Sequence, residues 1–174
     1  HFGDLGDPNS KVSQLVGARP EEIPERITQI MARLKAAERE LAQVRTAQLL
    51  GSAATVAGAA RRVGPLAVVV HDAGEVAGAD DLRTLALDVR SRLGAGGVVA
   101  LFGRSGDRPL LVVATSPEAR DRGLRAGALV REAATVLGGG GGGRDDVAQG
   151  GGTRPEAIGA AMAAVESAVG RTVA

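Results

Sequence analysis

The most regular pattern of apolar and polar residues lies between residues 20 and 50, where apolar positions recur at alternating steps of four and three. These positions are Ile23, Ile27, Ile30, Leu34, Ala37, Leu41 and Val44. Such spacing is typical of a heptad helix with one narrow apolar seam. Pro20, Glu21 and Glu22 suit the first turn of a helix, where proline needs no N–H partner and acidic side chains favour the positive end of the dipole. We therefore predict a helix over about 20–50.

The sequence leaves the partner of this seam open. Residues 12–16 have helical apolar spacing and predict a short helix that ends at Gly17, after a loose flank at 1–11. The seam would face that short helix, a helix outside this chain or a second copy of the chain. Ala37 and Gln48 weaken the seam and favour an intramolecular hairpin over a dimer.

Beyond residue 50 the pattern changes to short, valine-rich apolar runs bounded by glycine and proline. The runs at 65–74, 96–103 and 110–115 predict three buried strands, the last two joined as a hairpin. Residues 80–93 have the spacing of an amphipathic helix.

Two capping patterns predict the remaining helices. Ser116 followed by proline and glutamate suits a helix start, and we predict one helix from there to about residue 136. Its expected inner residues are Leu124, Ala128, Leu129 and Val136. Thr153 and Glu156 have the spacing of a capping box and open a last helix with an apolar face.

These elements together predict an α/β fold. A helical, coiled-coil-like subdomain over 1–50 precedes a compact globular domain over 51–174, in which a small β-sheet is flanked by helices.

Composition narrows the functional classes. The chain is 44% hydrophobic and 24% charged, has no cysteine and carries a net charge of +1; its aromatic residues are two phenylalanines. It therefore builds its core from aliphatic side chains, and it forms no disulfide or cysteine metal site. No apolar run is long enough to span a membrane and no secretory signal is visible, so we expect no membrane partner and a cytoplasmic location.

Motifs for catalysis are missing from the sequence. It contains no H-E-x-x-H, no G-x-S-x-G and no G-K-[ST] after its glycine run. Its two histidines are His1 and His71, and Asp72 beside His71 would point to the opposite face of the predicted strand. We predict no catalytic residue, no metal site and no cofactor in this chain.

The stretch at 138–152, GGGGGGRDDVAQGGG, is the most unusual in the chain. A flexible linker would join two independent units, whereas this run joins two predicted helices of one domain. Glycines permit positive φ, close packing and convergence of N–H groups on an anion. We therefore expect an ordered, buried glycine turn, either structural or anion-binding, in which Gly142 needs a positive φ or close packing.

This segment resembles the glycine motif of the C-terminal domain of alanyl-tRNA synthetases, a DHH-associated domain. The matching positions are Gly138, Gly139, Gly141, Gly142, Gly143, Arg144, Asp146, Ala148, Gln149, Gly151 and Gly152. Asp145 and Gly150 stand where that family commonly has proline and alanine. Residues 80–101 and 25–44 are similar to the family's helix–strand segment and to the coiled-coil helix before its domain. The resemblance therefore covers the chain from about residue 12 to its end.

The resemblance implies a non-catalytic accessory domain that binds tRNA(Ala), commonly at the elbow of the tRNA, and links aminoacylation with editing. Its implied partners are tRNA(Ala) and the catalytic and editing domains of the same chain. Some members of the family dimerise through this region, which implies a homodimer through the heptad helix as a further partner. The resemblance places ATP, magnesium and zinc in the other domains.

Arginine supplies nearly all of the positive charge and is the candidate RNA-binding residue, since its planar fork suits phosphate. The candidates are Arg61, Arg62, Arg104, Arg108, Arg120, Arg122, Arg125 and Arg144. We expect one cluster that combines the hairpin turn with the start of the following helix; its members are Arg104, Arg108, Arg120, Arg122 and Arg125. Arg144 has an alternative role as a fork that bonds carbonyls of the glycine turn. No aromatic platform is present for stacking, which favours folded tRNA over a single strand. The alternative function is a dimerisation or protein-interaction module without RNA contact.

Overall fold

The computed structural model describes residues 15, 17 and 19–173. The chain falls into two compact units, with the boundary between Val44 and Arg45. The flank at 1–11 and nearly all of the short helix at 12–16 lie outside the described residues.

The predicted heptad helix is confirmed. A 3-10 turn at Pro20–Glu22 leads directly into helix α1, Ile23–Gly51. The seam remains on the surface: Leu34 is 57% exposed and Val44 is 53% exposed. Five helices follow: α2 (Ala53–Gly58), α3 (Ala79–Leu93), α4 (Pro117–Asp121), α5 (Ala126–Val136) and α6 (Ile158–Val173).

One six-stranded mixed sheet forms the centre of the second unit. Its strands are β1 (Arg61–Val63), β2 (Leu66–Glu75), β3 (Gly97–Ser105), β4 (Arg108–Thr115), β5 (Gly140–Gly143) and β6 (Val147–Gly151). The order is β1-β2-β3-β4-β6-β5. Only β2 and β3 pair in parallel, and α3 makes the crossover that a parallel pair requires. The α/β fold and the three valine-rich strands are confirmed, whereas β1, β5 and β6 were not predicted.

Alternate residues of β3 enter two different cores, as expected for a strand covered on both faces. Val98, Ala100 and Phe102 lie in the core that includes residues of α5 and α6. Val99 and Leu101 lie in the core that includes the buried residues of α3. The sheet is therefore the middle layer of a three-layer structure built almost wholly from aliphatic side chains.

The single helix predicted over 116–136 is wrong, because the chain breaks it into α4 and α5. Gly123 has φ +92°, a conformation that ends a helix at low cost only for glycine. Leu124, which is 1% exposed, then enters the core and its N–H donates to the Ala119 carbonyl at 3.0 Å. Restarting the helix at Ala126 changes which face points inward.

Two details of that segment also differ from the expectation. Ala128 is exposed, whereas Leu129 and Val130 are buried, so Ala128 is not an inner residue. The Ser116 hydroxyl does not cap α4; it bonds both the N–H and the carbonyl of Gly97, the latter at 2.9 Å.

Candidate nucleic-acid interface

The glycine segment folds as a β-hairpin at one edge of the sheet. β5 pairs antiparallel with β6, with Gly140 opposite Gly151 and Gly143 opposite Ala148. β6 in turn pairs with β4, so β5 is the edge strand. The expectation of an ordered segment is confirmed and the linker interpretation is excluded. The expectation of burial is wrong, because all four residues of β5 are exposed.

Close approach of the two strands explains part of the glycine content. A Cβ on Gly141 would lie 2.5 Å from the Gly150 Cα and 2.7 Å from the Val130 Cγ1. A Cβ on Gly143 would lie 2.6 Å from the Ala148 Cα, and Gly143 has φ +154°. Real Cβ atoms do not approach neighbours so closely, so any other residue would force β5 away from β6 and α5.

The expectation that Gly142 needs a positive φ or close packing is wrong. A Cβ there would meet nothing within 4 Å, and its φ is not in the positive region; the same holds for Gly140. The steric requirement therefore alternates along β5 with the period of a strand, and glycine is required at 139, 141 and 143.

The turn of the hairpin is held by contacts from distant parts of the chain. The Thr115 hydroxyl donates to the Asp145 carbonyl at 2.6 Å. The Arg90 Nη1 donates to the Asp146 carbonyl at 3.2 Å. In the described part of the chain, the Arg144 guanidinium makes no hydrogen bond, and the arginine that bonds a turn carbonyl is Arg90. The alternative role of Arg144 as a fork for turn carbonyls is therefore wrong.

Three arginines meet beside this turn. Arg120, Arg125 and Arg144 line one open depression of about 730 Å³, which Asp121, Asp145 and Asp146 also line. The Arg120 Nη1 donates to the Thr115 carbonyl at 2.5 Å. The Arg125 Nε lies 4.0 Å from Asp145 Oδ2, and both side chains are more than 60% exposed.

The depression offers both donors and acceptors of hydrogen bonds. Guanidinium groups present planar donors to phosphate oxygens. The three carboxylates balance the arginine charge, which lowers the nonspecific attraction of the site for polyanions. Carboxylates also accept hydrogen bonds, which ribose 2′-hydroxyl groups can donate.

The single arginine cluster expected from the sequence is wrong. Arg104 and Arg108 flank the β3–β4 turn, whereas Arg120 follows the far end of β4. From Arg108 to Thr115, β4 extends for about 23 Å at ~3.3 Å per residue. Arg122 is exposed but does not line the depression. The hairpin-turn arginines therefore form a separate surface.

Arg61 and Arg62, the arginines at the junction after α2, lie far from the glycine hairpin. Arg61 and Arg62 are on β1, at the opposite edge of the sheet from β5. Five strand spacings of about 4.8 Å separate these edges by about 24 Å. Arg62 Nη1 donates to the Pro65 carbonyl at 3.3 Å.

Several residues beside the hairpin were missed by the sequence interpretation. Arg90 and Thr115 hold its turn, and their partners lie tens of residues away in sequence. Arg154 packs on Gly138 at the start of the hairpin, with its Cδ 3.0 Å from the position of a Gly138 Cβ. No local motif marks these contacts; the only signal was that arginine recurs on either side of the glycine run.

Residues 15, 17 and 19–173 were searched for a metal site and for a membrane-spanning helix. Among them, no group of three or more His, Asp or Glu side chains is placed to hold a metal ion. None of the helices described there is long and apolar enough to cross a membrane.

Comparisons with known proteins identify the family of the chain. Residues 65–171 match the DHHA1 domain family. The chain is 52% identical over 166 residues to an alanine–tRNA ligase of Kineococcus radiotolerans, covering 94% of this chain and 18% of that protein. It is 49% identical over 176 residues to the enzyme of Kocuria rhizophila, covering 98% of this chain and 20% of that protein. The chain thus spans about a fifth of the length of these relatives.

A solved structure extends the comparison to the fold. The C-Ala domain of Aquifex aeolicus alanyl-tRNA synthetase superposes with a TM-score of 0.57 at 34% identity, covering 64% of this chain and 97% of that domain. The resemblance that the glycine motif suggested is thereby confirmed. The chain belongs to the DHHA1 domain family, in the form found as the C-terminal domain of alanine–tRNA ligases.

Proposed function

We propose that this chain is the non-catalytic tRNA-binding part of an alanine–tRNA ligase, and that it contacts the elbow of tRNA(Ala) and so links aminoacylation with editing. The observation that carries the proposal is the convergence of Arg120, Arg125 and Arg144 on one open depression. These arginines come from α4, from the start of α5 and from the hairpin turn, which are separate in sequence and adjacent in space.

The electrostatics support shape-directed binding. A net charge of +1 gives the chain little long-range attraction for nucleic acid, so affinity must come from local contacts. Hydrogen bonds from Arg90 and Thr115 hold the main chain of the hairpin turn beside the arginines, which reduces the ordering cost of binding a folded RNA. Without aromatic side chains on this surface, unpaired bases find no stacking partner.

The remaining partners and cofactors follow from the same proposal. The tRNA-binding domain would act in the cytoplasm beside the catalytic and editing domains of one longer chain. ATP, magnesium and zinc would be held by those domains, as the family resemblance implies.

The test is a binding titration with tRNA(Ala) at several salt concentrations. The R120A/R125A/R144A variant should weaken binding and reduce the slope of log affinity against log salt by about three. The matched control is R19A/R33A/R39A, which removes the same charge from exposed positions of the N-terminal unit. Equal affinity and slope for wild type and R120A/R125A/R144A, with both folded, would refute this contact surface.

A second function is favoured by a different observation, the exposed seam of α1. Ile27, Ile30, Leu34, Leu41 and Val44 are 40–57% exposed. Such an apolar stripe suits pairing with another helix, and a second copy of the chain is one source. We expect sedimentation to show a concentration-dependent dimer that the L34E/L41E variant abolishes; a monomer at all concentrations would exclude this homodimer.

A further inference from the structure

Arg90 lies on α3, does not line the arginine depression, and contacts two segments of main chain, one of which includes the lining residue Asp146. Its Nη1 donates to the Thr115 carbonyl at 3.4 Å and to the Asp146 carbonyl at 3.2 Å. Thr115 ends β4, and Asp146 lies in the turn between β5 and β6. One half-buried guanidinium therefore ties the end of an inner strand to the turn of the glycine hairpin.

The same two segments set the positions of two arginines in the depression. Arg144 belongs to the hairpin turn, and Arg120 donates to the same Thr115 carbonyl that Arg90 contacts. Thr115 is completely buried, and its N–H donates to the Asp146 carbonyl at 2.9 Å. A shift of this junction would move both Arg120 and Arg144.

The Arg90 guanidinium bonds only uncharged groups among the described residues. Its two partners are neutral carbonyls, and none of the ion pairs found among residues 15, 17 and 19–173 includes it. A guanidinium carries five N–H donors in a fixed fork and no acceptor, which suits the bonding of two carbonyls at once. Arg90 therefore holds the turn through main-chain carbonyls and leaves the three carboxylates that line the depression unengaged by it.

We propose that Arg90 is a positioning residue for the RNA contact, acting through Arg120 and Arg144 and touching no RNA itself. The inference rests on the proposed function. It assigns to α3 the role of fixing the hairpin turn against β4, so that two arginines from different elements reach neighbouring phosphates with one geometry.

The test is a double-mutant cycle on tRNA(Ala) binding. R90M, which keeps the length of the side chain but removes the fork, should weaken binding on the order of tenfold in the wild-type background. In the R120A/R144A background R90M should have no further effect, because the residues through which it acts are gone. R92M is the matched control, since Arg92 lies on the same helix and pairs with Asp88 in solvent.

Hydrogen exchange of the free protein tests the mechanism without RNA. Amides of the segment 140–151 should exchange roughly tenfold faster in R90M and in R90K, which keeps the charge but not the fork, and unchanged in R92M. Unchanged hairpin exchange in R90M would overturn the proposal, as would additive effects of R90M and R120A/R144A on binding. If R120A/R144A binds tRNA as wild type does, the proposed function fails at this site. Faster hairpin exchange in R90M would in that case still show that Arg90 holds the hairpin turn.

Discussion

Two adjacent glycines of β5, Gly141 and Gly142, offer a matched pair in which one added methyl group should have opposite consequences. In G141A the new Cβ would lie 2.5 Å from the Gly150 Cα, 2.6 Å from the Gln149 carbonyl oxygen and 2.7 Å from the Val130 Cγ1. Two of these neighbours are main chain of the paired strand and cannot rotate away. Overpacking of this kind costs about 1–3 kcal/mol, and we expect the upper half of that range, about 2–3 kcal/mol.

In G142A the Cβ would meet nothing within 4 Å. Replacing glycine by alanine at an unstrained position lowers the entropy of the unfolded chain and stabilises by about 0.4–1 kcal/mol. The two variants should therefore differ by about 3 kcal/mol although they make the same chemical change one residue apart. For a domain of this size, 1 kcal/mol corresponds to about 3–4 °C in Tm.

The assay is thermal unfolding followed by circular dichroism, with urea unfolding to separate stability from a change in m. G141A should melt roughly 6–12 °C below wild type, and G142A at or slightly above it. Because β5 is an edge strand, the hairpin could detach before the core unfolds, and hydrogen exchange at 140–151 would then show the loss locally. Equal melting and equal exchange for the two variants would refute the alternating steric requirement.

Other predictions concern the break between α4 and α5 and the anchor of β3. G123A places alanine at φ +92° and should lower the free energy of unfolding by about 1–2 kcal/mol. G159A lies in α6, where a Cβ meets nothing within 4 Å, and should be neutral or stabilising. Equal melting temperatures for the two variants would contradict this. S116A removes a buried hydroxyl that bonds both the N–H and the carbonyl of Gly97, and it should lower the free energy of unfolding measured in urea by about 1–3 kcal/mol. S116T keeps the hydroxyl and should retain most of this stability.

The sequence predicted those elements whose signal is hydrophobic. α1, α3 and α6 carry apolar residues at helical spacing, and β2, β3 and β4 are valine-rich runs between glycine and proline, so these elements could be anticipated. The pattern did not show that the seam of α1 stays exposed while the apolar residues of the other five enter the core. The hairpin of β5 and β6 has no such signal. Glycine has low β-propensity and no side chain to alternate, and the need for it arises from a strand and a helix that only the tertiary structure brings close.

The candidate site was predicted residue by residue but not as a surface. Arg120, Arg125 and Arg144 were named from charge alone, and they do line one depression. Arg108 and Arg120 were grouped because they are 12 positions apart in sequence, yet the extended strand β4 between them alone spans about 23 Å at ~3.3 Å per residue. Arg90 was missed because its hydrogen bonds are to carbonyl groups, which every residue has and no sequence pattern marks.

The run of glycines has a consequence for strand register. A strand with side chains resists slipping by one residue, because slippage would send its apolar groups to solvent. β5 has no side chains, so its faces impose no such penalty. Its alignment is fixed at the ends: the Gly139 N–H donates to the Ala134 carbonyl at 2.9 Å on one side, and the Arg144 N–H donates to the Val147 carbonyl at 3.0 Å on the other. Between these two hydrogen bonds the register depends only on the number of glycines. One glycine more or fewer would change the length of the segment by about 3.3 Å and misplace one of its ends.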